Sequence, residues 1–94
     1  MRQYKLKKYK LSAEATRSGS DIWLQGTFGP YGFEATTQEC KECCSYIVNS
    51  TSVWPIKNQP GRRALHNALM TIEDRLANAQ VPKFQNGESA QVNL

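Results

Sequence analysis

The chain has 94 residues, 39% of them hydrophobic and 21% charged, with a net charge of +4. That suffices for one modest core, leaves no room for separate cofactor and substrate domains, and is too apolar for wholesale disorder. No apolar run approaches the roughly 18–20 residues of a membrane span, and Met1-Arg2-Gln3-Tyr4-Lys5-Leu6 lacks the apolar stretch of a secretory signal.

The charge is unevenly placed. Residues 1–17 carry Arg2, Lys5, Lys7, Lys8, Lys10 and Arg17 against Glu14 alone. Such a strip favours a polyanion or an acidic protein surface; it equally describes a solvated edge strand whose lysines discourage aggregation. Three cysteines crowded into residues 40–44 do not make a disulfide framework, and a reducing, cytoplasmic setting in a host cell is expected.

In chain order, Tyr9, Leu11, Ala13 and Ala15 alternate with polar residues, and Tyr4 and Leu6 do so in the opposite phase. This predicts a first strand over about 3–16 with a bulge at Lys7-Lys8. After a turn at 17–21, Ile22, Leu24, Gly26 and Phe28 define one face of a second strand over 21–28, with Trp23 on the other side and exposed if that face is the core. Gly29-Pro30-Tyr31-Gly32 predicts a tight turn. A short third strand is expected over 31–36.

The period then changes. Thr36-Thr37-Gln38-Glu39 fits a capping box, and Cys40, Cys43, Cys44, Ile47 and Val48 follow at helical spacing, predicting a helix over about 37–49. Val53-Trp54-Pro55-Ile56 reads as a connector, because Pro55 cannot continue a helix. Leu65, Ala68, Leu69, Ile72, Leu76 and Ala79 form one apolar stripe of a second helix over about 62–79. Residues 81–94, small and polar around Pro82 and Gly87, read as a flexible, disordered tail outside a single domain of residues 1–80, with Phe84 as a candidate anchor. The expected architecture is α+β: a three-stranded antiparallel meander packed on two helices, with the other sheet face open to a partner.

No constellation specifies a reaction. Cys40-x-x-Cys43 has zinc-like spacing, with His66 as a further ligand and Cys44 as the fourth. Zinc, however, requires four ligands and favours a tight knuckle, whereas these cysteines fall within a predicted helix and read as small core hydrophobes. A Cys40–His66 nucleophile pair lacks an oxyanion-hole motif. Glu73 and Asp74 point in different directions around their helix and are poor acid–base partners. No catalytic residue, metal or cofactor is assigned. Tyr4, Tyr9, Trp23, Tyr31 and Phe33 interleave with the lysines on the predicted sheet, a mixture suited to stacking bases or anchoring a protein partner. No aromatic octamer, Gly-x-x-Gly clamp or phosphate-cradling loop accompanies them.

The layout resembles small phage anti-CRISPR proteins that block type I CRISPR surveillance complexes. The likeness is carried by Phe33-Glu34-Ala35-Thr36-Thr37-Gln38, where a strand enters a helix, and by Gly61-Arg62 leading into Ala68-Leu69. The resemblance implies non-catalytic inhibition by a sheet face docked on a nucleoprotein machine. The expectation is therefore a non-enzymatic binding protein, encoded by a phage or mobile element, that inhibits a host protein or nucleoprotein complex without membrane involvement. Lys5, Lys7, Lys8, Lys10 and Arg17 would serve as charge contacts and Trp23 and Tyr31 as anchors. The alternative is direct, weakly specific nucleic-acid binding.

Overall fold

Alternation of apolar and polar residues builds five strands into one sheet in the computed structural model, which describes residues 6, 8–56 and 61–94. The elements are β1 (Leu11–Ser18), β2 (Asp21–Phe28), β3 (Tyr31–Glu39), β4 (Tyr46–Pro55), α1 (Arg62–Ala77) and β5 (Ser89–Asn93). The sheet order is β4-β3-β2-β1-β5, and every neighbouring pair is antiparallel.

The first two hairpins turn on two residues each. Leu11 pairs with Phe28 and Ser18 with Asp21; Phe28 in turn pairs with Tyr31 across Gly29-Pro30. Gly29 has φ +59, and a β-carbon there would run into the Tyr9 ring, so glycine serves both the turn and the packing of Tyr9. Tyr9 meets Phe28 edge-on, ring centroids 5.5 Å apart.

One face of the sheet is apolar. Leu11, Ala13, Ala15, Ile22, Leu24, Phe28, Phe33 and Ala35 are essentially inaccessible there. Helix α1 covers this face with Ala68, Ile72 and Leu76, all fully buried. Burial of each large side chain contributes roughly 1.5–3 kcal/mol, and the small Ala68 lets the helix approach the sheet. Arg75 ties the segment before β1 to this core: its guanidinium donates to the carbonyls of Tyr9 and Leu6 and lies 5.0 Å from the Phe28 ring centroid.

Several expectations are corrected. The sheet has five strands, and among the described residues the packed layer is the single helix α1. The helix expected over 37–49 does not form. β3 instead runs on to Glu39, residues 40–45 turn, and the chain returns as β4. β-branched and Ser/Thr residues decide the matter, since they suit a pleated ladder better than a helix. Thr37, buried, donates its hydroxyl to the Ile22 carbonyl at 2.8 Å, while Thr36 bonds the Ser50 hydroxyl across the strands. The register shifts between Thr36 and Thr37; Thr36 pairs with Ser50 and Thr37 with Val48, leaving Asn49 as the extra residue of a bulge.

The expected tail is also structured. Val81 is buried, Phe84 packs against the core, and β5 zips onto β1 from Ser12–Asn93 to Thr16–Ser89. Among the described residues the first strand begins at Leu11, so residues 8–10 of the expected strand lie outside it. Tyr4 and Lys7, with half of the expected Lys7-Lys8 bulge, lie outside the described residues. The second expected helix is observed, at Arg62–Ala77.

Candidate binding face

The sheet face opposite α1 carries no covering element among the described residues. Period-two geometry collects on it Ser12, Glu14 and Thr16 of β1 with Asp21, Trp23, Gln25 and Thr27 of β2. β3 adds Gly32, Glu34, Thr36 and Gln38, β4 adds Ile47, Ser50, Ser52 and Trp54, and β5 adds Ser89, Gln91 and Asn93. The polar residues bond across strands: Ser12 Oγ to Asn93 Oδ1 at 3.2 Å, Thr16 to Ser89 at 3.2 Å, and Gln38 Nε2 to Asp21 Oδ1 at 3.2 Å. Such pairs hold the side chains of the surface in place.

Two tryptophans break this polar lattice. Trp23 is 53% exposed and Trp54 40%. Trp23 stands between Thr16 and Thr36. Trp54 lies across Gly32, its Nε1 and Cε2 where a β-carbon would stand. From strand spacing and rise, the two are about 16 Å apart. Ile47 and Ile56 add exposed apolar area at the β4 edge.

The charge of the face is the opposite of the sequence expectation. Its ionic residues are Glu14, Asp21 and Glu34; among the described strand residues that point outward there is no Lys or Arg. Four of the twelve Lys and Arg (Arg2, Lys5, Lys7 and Lys57) lie outside the described residues, and the other eight balance the eight Asp and Glu.

The expected site residues therefore scatter. Lys5 and Lys7 lie outside the described residues. Lys8 and Lys10 are exposed but precede β1. Arg17 is on the core side of β1, with its side chain only 15% exposed and paired to Glu39. Its guanidinium sits 4.9 Å from the Phe84 ring centroid. Tyr31 is 8% exposed and packs edge-on to Tyr9; burial, then the Tyr9 hydroxyl, pushes its pKa up. Neither Arg17 nor Tyr31 is available as a contact on the open face. Of the five that are described, Trp23 alone is on it. Trp54 was legible only through β propensity, and Pro55 masked that signal.

At the end of the sheet near Glu39, an open depression of about 630 Å³ lies between Arg17, Glu39 and residues 82–88. Beside it Tyr46 is buried with no partner for its hydroxyl. Burial chiefly, with a smaller push from Glu39, raises its pKa to about 12 against the opposing pull of Arg17.

The cysteines stand apart from the core. Residues 40–45 form the β3–β4 turn, in which Cys40 is half-buried and Cys43 and Cys44 are exposed thiols. The Cys43 N–H donates to Cys40 Sγ at 3.3 Å, and Cys43 Sγ lies 3.0 Å from Ser45 Oγ. Cys44 has φ +59. Hydrogen bonds from Cys40 first, then Ser45, lower the Cys43 pKa to about 7. The reading of these cysteines as core hydrophobes is thus corrected, and Cys40 opens no helix that could activate it toward His66. Among the described residues no three His, Cys, Asp or Glu converge on a metal-sized site, and no helix is long and apolar enough to cross a membrane.

No family model, curated protein or solved structure matches the chain. The resemblance to anti-CRISPR inhibitors rests on the quoted residues alone, and Phe33-Glu34-Ala35-Thr36-Thr37-Gln38 lies wholly within β3 instead of entering a helix.

Proposed function

We propose that the protein is a non-enzymatic binding module, acting in the cytoplasm of a host cell, that docks its open sheet face on a basic protein surface. The supporting observation is the exposed Trp23 on a hydrogen-bonded face whose ionic residues are all acidic. Tryptophan in such a setting supplies large apolar area with little rotamer entropy to lose, the profile of an interface anchor. The carboxylates of Glu14, Asp21 and Glu34 complement lysines and arginines and repel phosphates. The face measures about 19 by 26 Å from strand spacing and rise, about 500 Å² in projection, toward the lower end of a specific interface.

The partner class that fits is a protein that handles nucleic acid, since its binding groove is basic. Occupation of that groove would inhibit it, in keeping with the inhibitor reading of a phage or mobile-element protein. Direct nucleic-acid binding by this face is disfavoured by its charge.

The test is capture by the tagged protein from host lysate, with and without nuclease, in three forms: unaltered, Trp23→Ala, and Glu14→Lys with Glu34→Lys. One complex retained through nuclease treatment, lost in both variants and competed by added DNA or RNA, is the expected result. Capture abolished by nuclease would replace this reading with direct nucleic-acid binding. Capture indifferent to both variants would remove the face from consideration.

A further inference from the structure

We propose that the β3–β4 turn is a zinc half-site: Cys40 and Cys43 each supply one thiolate, and the same two residues of a second copy complete the tetrahedron. The proposal does not rest on the docking face.

Three features of the turn point there. First, the backbone folds so that the Cys43 N–H points at Cys40 Sγ at 3.3 Å, and the Cys44 N–H bonds the Cys40 carbonyl at 2.9 Å. This N–H···S contact folds the loop around Cys40 Sγ, and the Cys43 thiol, 3.0 Å from Ser45 Oγ, also lies within hydrogen-bonding reach of the Cys40 side chain. Zinc knuckles require this arrangement, and the N–H donor spreads the charge of a metal-bound thiolate. Second, the residue after the pair, Cys44, is held at φ +59. A non-glycine residue in that region costs of order 1 kcal/mol, and strain of this kind concentrates at functional turns. Third, the turn is both exposed and braced. Cys40 N–H bonds the Ser45 carbonyl at 2.9 Å, and Val81 N–H bonds the Cys44 carbonyl at 2.8 Å. Ser45 also bridges to Gln80. The ligands are thereby pre-positioned at the end of the sheet.

Ligand count then decides the stoichiometry. Zinc takes four ligands in a structural site, and no third ligand converges on the pair among the described residues. Two turns meeting tip to tip supply four sulfurs without rearranging either sheet. On binding, each thiol releases its proton to solvent. Cys44 is not a ligand in this arrangement; its contribution is the backbone conformation.

The experiment uses the full chain, reduced and oxygen-free, titrated with zinc while bound metal and molar mass are followed. Cobalt(II) serves as a second, coloured probe of tetrahedral thiolate coordination. One zinc per two chains, a zinc-dependent doubling of mass, and the intense visible bands of thiolate-bound cobalt are expected. All three should vanish in Cys40→Ser and in Cys43→Ser and persist in Cys44→Gly. Because Cys43 is exposed, the melting curve of metal-free Cys43→Ser should match that of the metal-free parent. The proposal is overturned by absence of metal uptake, by one metal per chain at unchanged mass, or by uptake that survives both serine changes.

Discussion

Replacing Arg17 separates a structural role from a contact role. The guanidinium is hydrogen-bonded to Glu39, with side-chain exposures of 15% and 32%. A hydrogen bond between charged groups contributes about 1.5–3 kcal/mol, and the partial exposure of Glu39 favours the lower figure. Stacking on Phe84 at 4.9 Å adds about 0.5–1 kcal/mol, and packing of the methylene stem roughly 1 kcal/mol. Freed rotamers return about 1 kcal/mol. Arg17→Ala should therefore destabilise the fold by roughly 2–3 kcal/mol, lowering a urea midpoint by about 1–2 M. Lys8→Ala and Lys10→Ala, at exposed positions, should stay within about 0.5 kcal/mol of the parent. A cycle with Glu39→Ala should return a coupling of about 1–2 kcal/mol, isolating the ion pair from the packing. An Arg17→Ala variant that melts like the parent but no longer captures the partner would refute the reasoning and restore Arg17 as a contact.

Three further outcomes follow from the same geometry. Alkylation of Cys43 by iodoacetamide should rise through a midpoint near pH 7, the value its hydrogen bonds set, and Cys40→Ser should move that midpoint up toward the ordinary thiol range; a parent midpoint near 8.5, the ordinary thiol pKa, would show that the Cys40 contact is not made in solution. Tyr46→Phe removes a buried hydroxyl without a partner, so stability at pH 7 should be unchanged or higher by up to about 1 kcal/mol; a loss above 1 kcal/mol would reveal a partner for the hydroxyl. With the folded pKa near 12 and the unfolded value near 10, the folded state keeps its proton longer. Stability attributable to Tyr46 is thus complete below pH 10 and falls as pH rises, by roughly 2–3 kcal/mol at pH 12; Tyr46→Phe should flatten that alkaline limb, and an unaltered slope would contradict the burial argument. Val92→Asp places a charge where Val92 is 5% exposed and should detach β5 or unfold the chain, seen as loss of amide protection along β1; retained protection would return residues 81–94 to the status of a tail.

The parts of the fold legible in the sequence share a strong local period. β2 is found at Asp21–Phe28, where Ile22, Leu24 and Phe28 pointed inward and Trp23 outward, and α1 follows the Leu65 to Leu76 stripe. The miss at 37–49 has a physical cause. Cys40, Cys43, Cys44, Ile47 and Val48 satisfy a helical period by coincidence, while Thr37, the three cysteines, Ser45, Tyr46, Ile47, Val48 and Asn49 within that window all rank below the good helix formers. Propensity summed over the window outweighs the spacing of five apolar residues. β5 left almost no trace because an edge strand needs one buried side chain, and Val92 is that one. The candidate face was legible at Trp23 alone. Arg17 and Tyr31 were misplaced because their strands turn them toward the core, and Trp54 because a proline followed it.

The position of β5 also predicts an order of events in folding. Its hydrogen-bonded neighbours on β1 are far away in the chain: Ser12 and Asn93 are separated by 81 residues and Thr16 and Ser89 by 73. Loop-closure entropy predicts that the three hairpins from β1 to β4, which close short loops, form first, and that β5 adds after α1 has docked and residues 81–88 have crossed the end of the sheet. Until then β1 is an open edge, able to accept the same strand from another copy. At high concentration during refolding this chain should therefore exchange its last strand between molecules, with residues 81–88 as the hinge.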